Sequence, residues 1–339
     1  MIFQTMGWCC LLALTPALAQ DAIDLVGSGS NVPSPLYTVW VDDFNKKDPK
    51  IQVHYLPLGT SASISQISMG SGDFGGGEII LTHEEMQAGK VPLVQIPTVL
   101  IGIVPIYNLP GEPEVNFSGE LLAQIFLGKV TRWNDARIAR LNPTLKLPNQ
   151  ELTVVHRGPG KGSNYILTDF LSKSSSEFHT RVGKSPSPPW PVGMEANRGE
   201  DMISKVASIQ GAIGYVEWSF AKHSSIGYGA VENPAGHFVR ASTASITAAC
   251  RSLEASLPED FRISLVNAPG KDAYPISSFT WIYLPTSGWS GARGRALKQF
   301  LSWTLESGQD VAETMGYAVL PHALKLKVEA ALDSIARSR

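Results

Sequence analysis

Four times along the chain a strand-like apolar run stops at a turn, three of them rich in glycine and most of them opening a helix. The turns are Gly-Ser-Gly-Ser-Asn (27–31), residues 59–63 beginning Gly59-Thr60-Ser61, Gly75-Gly76-Gly77-Glu78, and residues 157–164 beginning Arg157-Gly158-Pro159-Gly160. Strands that alternate with helices predict parallel sheets flanked by helices, an α/β fold. In such sheets ligands sit beyond the carboxyl ends of the strands, where helix N-termini converge, so the four turns become candidates for one shared site.

The fourth turn carries the most chemistry. Thr153-Val154-Val155 reads as a buried strand, and Ile166, Leu167, Phe170 and Leu171 recur at helical spacing behind Ser163 or Asn164 as candidate caps. Backbone N–H groups at the helix start, with Arg157 and Lys161 beside them, suit an oxyanion. A solvated surface turn is the alternative. A nucleotide-binding loop would need Gly-Lys-Ser/Thr, and here Gly162 follows Gly160-Lys161.

Elsewhere, Leu36, Val39, Trp40 and Phe44 predict a helix after Pro33, and Ile64 and Ile67 another after Thr60. Residues 91–109 are apolar but interrupted by Pro92, Pro97 and Pro105, which predicts extended segments crossing between two lobes rather than one helix. Residues 242–257 read as a helix, 262–266 as a strand and 276–284 as a longer strand.

At 339 residues the chain can hold two domains, and its charged fraction of 17% is that of a globular protein. A net charge of −2 argues against nucleic acid or an anionic membrane surface as main partner. Residues 1–20 hold no charged side chain; an apolar core at 8–14 and Ala17-Leu18-Ala19 predict a signal peptide over 1–19, without the usual basic start. Cys250 is then the only cysteine, which excludes an intrachain disulfide or a thiolate metal cluster. The histidines show no HExxH spacing, and residues 27–31 lack the last glycine of a nucleophile elbow. No cofactor and no catalytic residue are expected.

With these turns in hand, the chain resembles the phosphate-binding protein family of the bacterial high-affinity phosphate ABC transporter. The resemblance is carried by Gly-Ser-Gly-Ser-Asn-Val-Pro-Ser-Pro-Leu-Tyr (27–37), Asp-Phe-Gly (73–75), Gln-Ile-Pro-Thr-Val (95–99) and Ile-Phe-Leu-Gly-Lys-Val-Thr-Arg-Trp-Asn-Asp (125–135). Val-Val-His-Arg (154–157), Gly-Ala-Ile-Gly-Tyr-Val-Glu (211–217) and Asp-Ala-Tyr-Pro-Ile (272–276) extend it.

The resemblance implies a two-lobe periplasmic-binding-protein fold of type II, with phosphate held in the cleft between lobes. Lobe 1 would take residues 20–97 and 276–339, and lobe 2 residues 98–275. The implied phosphate ligands are Asn31 through its side chain, Val32 through its backbone N–H, and Thr60 through its hydroxyl. Glu78 stands for a family Asp that accepts the phosphate proton, and Arg157 is the charge facing the anion. Lys161 stands for a Ser, Gly162 keeps a backbone N–H, and Ser163 keeps a hydroxyl. Pro159 replaces an Asp that often pairs with the Arg. The implied partners are inorganic phosphate and the inner-membrane permease and ATPase subunits of an importer, with the protein exported, periplasmic, monomeric and not an enzyme. Another oxyanion, a secreted sensor or scavenger, and a phosphate-ester hydrolase remain the alternatives.

Overall fold

The structure, a computed structural model, describes residues 22–337; the signal-peptide expectation lies outside them. Twelve strands are described: β1 (Ile23–Gly29), β2 (Ile51–Leu56), β3 (Phe74–Gly77), β4 (Leu93–Tyr107), β5 (Asn116–Phe117), β6 (Thr153–Arg157), β7 (Met194–Ala196), β8 (Ala212–Glu217), β9 (Gly227–Tyr228), β10 (Ala230–Glu232), β11 (Phe238–Val239) and β12 (Ser277–Pro285). The first six helices are α1 (Ser34–Lys47), α2 (Thr60–Ser68), α3 (His83–Gln87), α4 (Gly119–Phe126), α5 (Ala136–Leu141) and α6 (Gly162–Ser174).

The main sheet runs β2-β1-β3-β12-β4-β8-β6-β7, with β9 also on β4. Both ends are parallel, as alternation predicts: β1 pairs in parallel with β2 and β3, and β6 with β7 and β8. The middle is not. β12 runs antiparallel to β3 and β4, and β4 antiparallel to β8.

β4 is therefore common to both halves. Its residues 93–102 pair with β12, and Ile103 to Tyr107 pair with β8. The proline-interrupted segment is thus one 15-residue strand, not several pieces. A bulge makes this possible: Thr280 faces Val99 but Trp281 faces Pro97, so Thr98 stands out of register beside the proline. Thr98 Oγ1 and Thr280 Oγ1 are 2.7 Å apart, and Tyr37 Oη is 2.7 Å from Thr98 Oγ1.

Burial follows the expected faces. β4 is buried along nearly its whole length, which explains its unbroken apolar run. On α1, Leu36, Trp40 and Phe44 enter the core, and Trp40 Nε1 donates to Gly308 O at 2.7 Å. Trp133 and Trp218 are core residues as well.

Two expectations fail. Residues 262–266 form no strand: Phe261 has a φ of 61°, Arg262 Nη1 donates to Leu81 O at 2.8 Å, and Ser264 Oγ donates to buried Asp169 at 2.7 Å. Side-chain anchoring, not sheet pairing, holds this stretch. The helix expected over 242–257 is α-helical only over Thr243–Ser252, followed by a short 3-10 turn at Glu254–Ser256.

Candidate functional site

Three helices begin where the expected residues meet. α1 follows Asn31, Val32 and Pro33. α2 starts at Thr60 behind Gly59, whose φ of 101° only glycine adopts readily. α6 starts at Gly162. Its cap position is Lys161, not Ser163 or Asn164 as the sequence suggested. Asn164 instead ties the turn together, donating from Nδ2 to Gly158 O at 2.8 Å and Pro186 O at 3.0 Å. The first-turn N–H groups of α6, Gly162 and Ser163 among them, have no acceptor within their helix.

Glu78 lies just past the end of β3, and it is wholly buried. Thr60 Oγ1 donates to its Oε2 at 3.0 Å. Burial pushes the carboxyl up to about 8 from an ordinary 4.5; the Ser30 and Thr60 hydroxyls and the Arg157 charge oppose this, and Glu217 adds to it. Tyr283 holds the next residue, accepting from Ile79 N at 3.0 Å and donating to Ile79 O at 2.7 Å. β12 thus fixes the acid from below.

Arg157 ends β6 and is buried too. Its backbone N–H donates to Tyr215 Oη at 2.9 Å, and Nη2 donates to Asn197 O at 3.0 Å. Glu217 Oε1 stands 3.8 Å from Nη1. Lys161 is half-buried, and its Nζ reaches across to Gly59, within 4 Å of where a Cβ there would sit. Burial, then the Arg157 charge, lowers its pKa.

The halves touch here. A Cβ at Gly162 would overlap the Glu78 carboxylate. Ser61 N donates to Gly160 O at 3.3 Å, and Tyr165 Oη to Ile80 O at 3.3 Å. Val32 N–H donates to Ser30 Oγ at 3.1 Å, and Val32 O accepts from Tyr317 at 3.3 Å.

Thr60, Glu78, Arg157, Lys161, Gly162 and Ser163 therefore come together where the halves touch, Asn31 and Val32 follow Ser30 on the neighbouring turn, and four of the eight hold a buried polar atom with no partner: Asn31 Oδ1, Glu78 Oε1, Arg157 Nε and Ser163 Oγ. Such atoms are rare in folded proteins, and each calls for an explanation. Amides, hydroxyls, a guanidinium and one acid can together hydrogen-bond a small, partly protonated oxyanion. A cavity of about 630 Å³ among Ile203, Phe220, Met315 and Tyr317 is lined by none of the eight.

Sequence reasoning missed Ser30, Tyr283 and Glu217. Glu217 lies in the quoted stretch 211–217, but no spacing ties it to Arg157. Pro159, which offers no acid, is exposed. His156 stacks on Trp190 with ring centroids 5.6 Å apart, and Cys250 is buried with its thiol pushed up to about 12. Among the described residues no group of three His, Cys, Asp or Glu is placed to hold a metal ion.

A sheet whose two halves share crossing strands, with polar groups from both meeting at helix starts, defines the two-lobe solute-binding class of protein. The profile described as PBP superfamily domain matches residues 15–307. Phosphate-binding protein PstS of Xylella fastidiosa strain Temecula1 is 35% identical over 93% of this chain and 87% of its own length. The one from Haemophilus influenzae is 33% identical over 89% and 90%. The chain belongs to the PBP superfamily and, within it, to the family of the phosphate-binding proteins PstS.

Solved structures share the fold. A high-affinity periplasmic phosphate-binding protein (PfluDING) bound with phosphate superposes with a TM-score of 0.70 at 18% identity, over 91% of this chain and 93% of that one. A putative phosphate ABC transporter substrate-binding protein from Clostridium perfringens gives 0.63 at 19%, over 88% and 100%.

Proposed function

We propose that the protein captures inorganic phosphate outside the cytoplasm and delivers it, as a monomer, to the permease and ATPase subunits of an ABC importer. The lobes are residues 20–97 with 276–339, and residues 98–275. The observation that carries the reading is the set of four unpartnered buried polar atoms on Asn31, Glu78, Arg157 and Ser163. The relatives' names point to the same anion.

In this reading Asn31, Thr60 and Ser163 bond phosphate through their side chains and Val32 and Gly162 through backbone N–H groups, with Thr60 turning from Glu78 and the Val32 N–H from Ser30 Oγ to do so. Arg157 supplies the facing charge, with the Lys161 ammonium behind it. Glu78 takes the hydrogen of a protonated phosphate oxygen. Fully ionised sulfate has no such hydrogen, so an ionised Glu78 repels it. Each buried polar atom left unpaired costs roughly 1–3 kcal/mol, so an anion that pairs several of them favours the closed lobes. β4, which crosses between the lobes, and the return connection at 275–276 just before β12 are where that movement bends.

One contact also fits a hydrolase, the Thr60 hydroxyl beside the Glu78 acid. Two assays separate the readings. Calorimetric titration with phosphate, arsenate, sulfate and phosphonates should give one site that takes phosphate and arsenate well above sulfate at pH 8.5. Sustained turnover of a phosphate monoester, with or without zinc, would remove the transport reading.

A further inference from the structure

Arg157 faces two buried acids, one from each lobe. Glu78 belongs to the first; Glu217 belongs to the second, where it ends β8 between β6 and β4. Its register partner on β4 is Ile103, the residue at which that strand changes from β12 to β8. The Glu217 and Arg157 side chains are 2% and 1% exposed. Their separation of 3.8 Å is too long for a hydrogen bond, yet at such burial their attraction is strong. Glu217 Oε1 and Arg157 Nε both lack a hydrogen-bond partner. Arg157 Nη2 donates to a neutral carbonyl, Asn197 O, and not to an acid.

We infer that Glu217 is a positioning residue for the anion site: its carboxylate is the resident counter-ion of Arg157. It holds the guanidinium at the cleft and limits the positive charge offered to an incoming anion. This rests on the phosphate reading for its binding readout. A buried guanidinium without a partner is strongly destabilising. Glu217 meets that need when no ligand does, and a bound phosphate must then share Arg157 with a carboxylate. Removing the charge while keeping the shape should act in opposite directions on fold and binding.

Glu217→Gln is the test, by thermal unfolding without ligand and by phosphate calorimetry at pH 8. The expected result is a lower melting temperature together with a phosphate Kd that falls about three- to tenfold. General damage would lower stability and weaken binding together. A Kd unchanged or raised, or an unchanged melting temperature, overturns the inference. Should Glu217→Gln fail to fold, the Arg157→Gln/Glu217→Gln double variant decides: cooperative unfolding regained supports the pair, and a second failure overturns it. If the wild-type protein takes no phosphate, the transport reading falls by itself, and the coupling of melting temperatures between positions 157 and 217 still decides the pair.

Discussion

The carboxylate of Glu78 lies against the backbone of Gly162, with no room between them for a single added carbon. One residue follows β3 and the other opens α6, so the two halves are in tight contact at the acid and the helix start. Alanine suits a helix start, so any loss in Gly162→Ala comes from the overlap with Glu78 and not from helix propensity. We expect phosphate affinity to fall at least about tenfold and the ligand-free melting temperature to fall with it, because the added carbon meets the buried carboxylate with or without ligand. Calorimetry and thermal unfolding on the same sample check this; full affinity in the variant would place the anion elsewhere.

Selectivity should depend on pH. With Glu78 titrating near 8, its protonated form can donate to sulfate, and its ionised form repels it. Sulfate affinity is predicted to fall as pH rises from 7 to 9, approaching about tenfold per pH unit above that titration. In Glu78→Gln the slope should vanish and discrimination against sulfate at pH 9 should shrink. Titrations at several pH values measure it, and a flat wild-type profile contradicts the role of Glu78.

The glycine-rich turns and the helices behind them were legible because a strand stop, a glycine and a helical apolar face are local signals. Those turns contain Asn31, Thr60, Glu78, Arg157 and Ser163, whose binding roles were implied by the family resemblance and not by the local signals. Glu217 was not legible, since its approach to Arg157 depends on β8 pairing with β6, across 60 positions of sequence. Residues 262–266 misled for the same reason. Their alternation looks like a strand, but Leu81 O and Asp169, both distant in sequence, hold Arg262 and Ser264. The single long strand β4 was hidden by Pro97, whose cost is absorbed at the Thr98 bulge, a feature visible only once β12 is paired.

Tyr283 carries a test of how Glu78 is held. Its hydroxyl serves both Ile79 N–H and Ile79 C=O, and phenylalanine would leave both buried groups unsatisfied. Tyr283→Phe should cost about 1–3 kcal/mol in denaturant unfolding. It should also blunt phosphate-over-sulfate discrimination, since the acid next to Ile79 loses its anchor. A loss of stability with selectivity intact would mean that the clamp is structural only.

Stability of the ligand-free protein should fall with pH. The fold favours protonated Glu78, raised to about 8 from 4.5, so that contribution is full below about 4.5 and lost as pH climbs through about 8. Melting curves from pH 5 to 8.5 should decline by the equivalent of a few kcal/mol, and Glu78→Gln should flatten much of that decline. A variant as pH-sensitive as the wild type would assign the effect elsewhere.

The most direct measurement is a crystal structure of the protein grown with inorganic phosphate. One anion is expected between the lobes, with its oxygens at hydrogen-bond distance from Thr60, Arg157 and Ser163 and one of them on the Glu78 carboxyl. Phosphate bound to one lobe alone, or in the apolar cavity beside Tyr317, would contradict it.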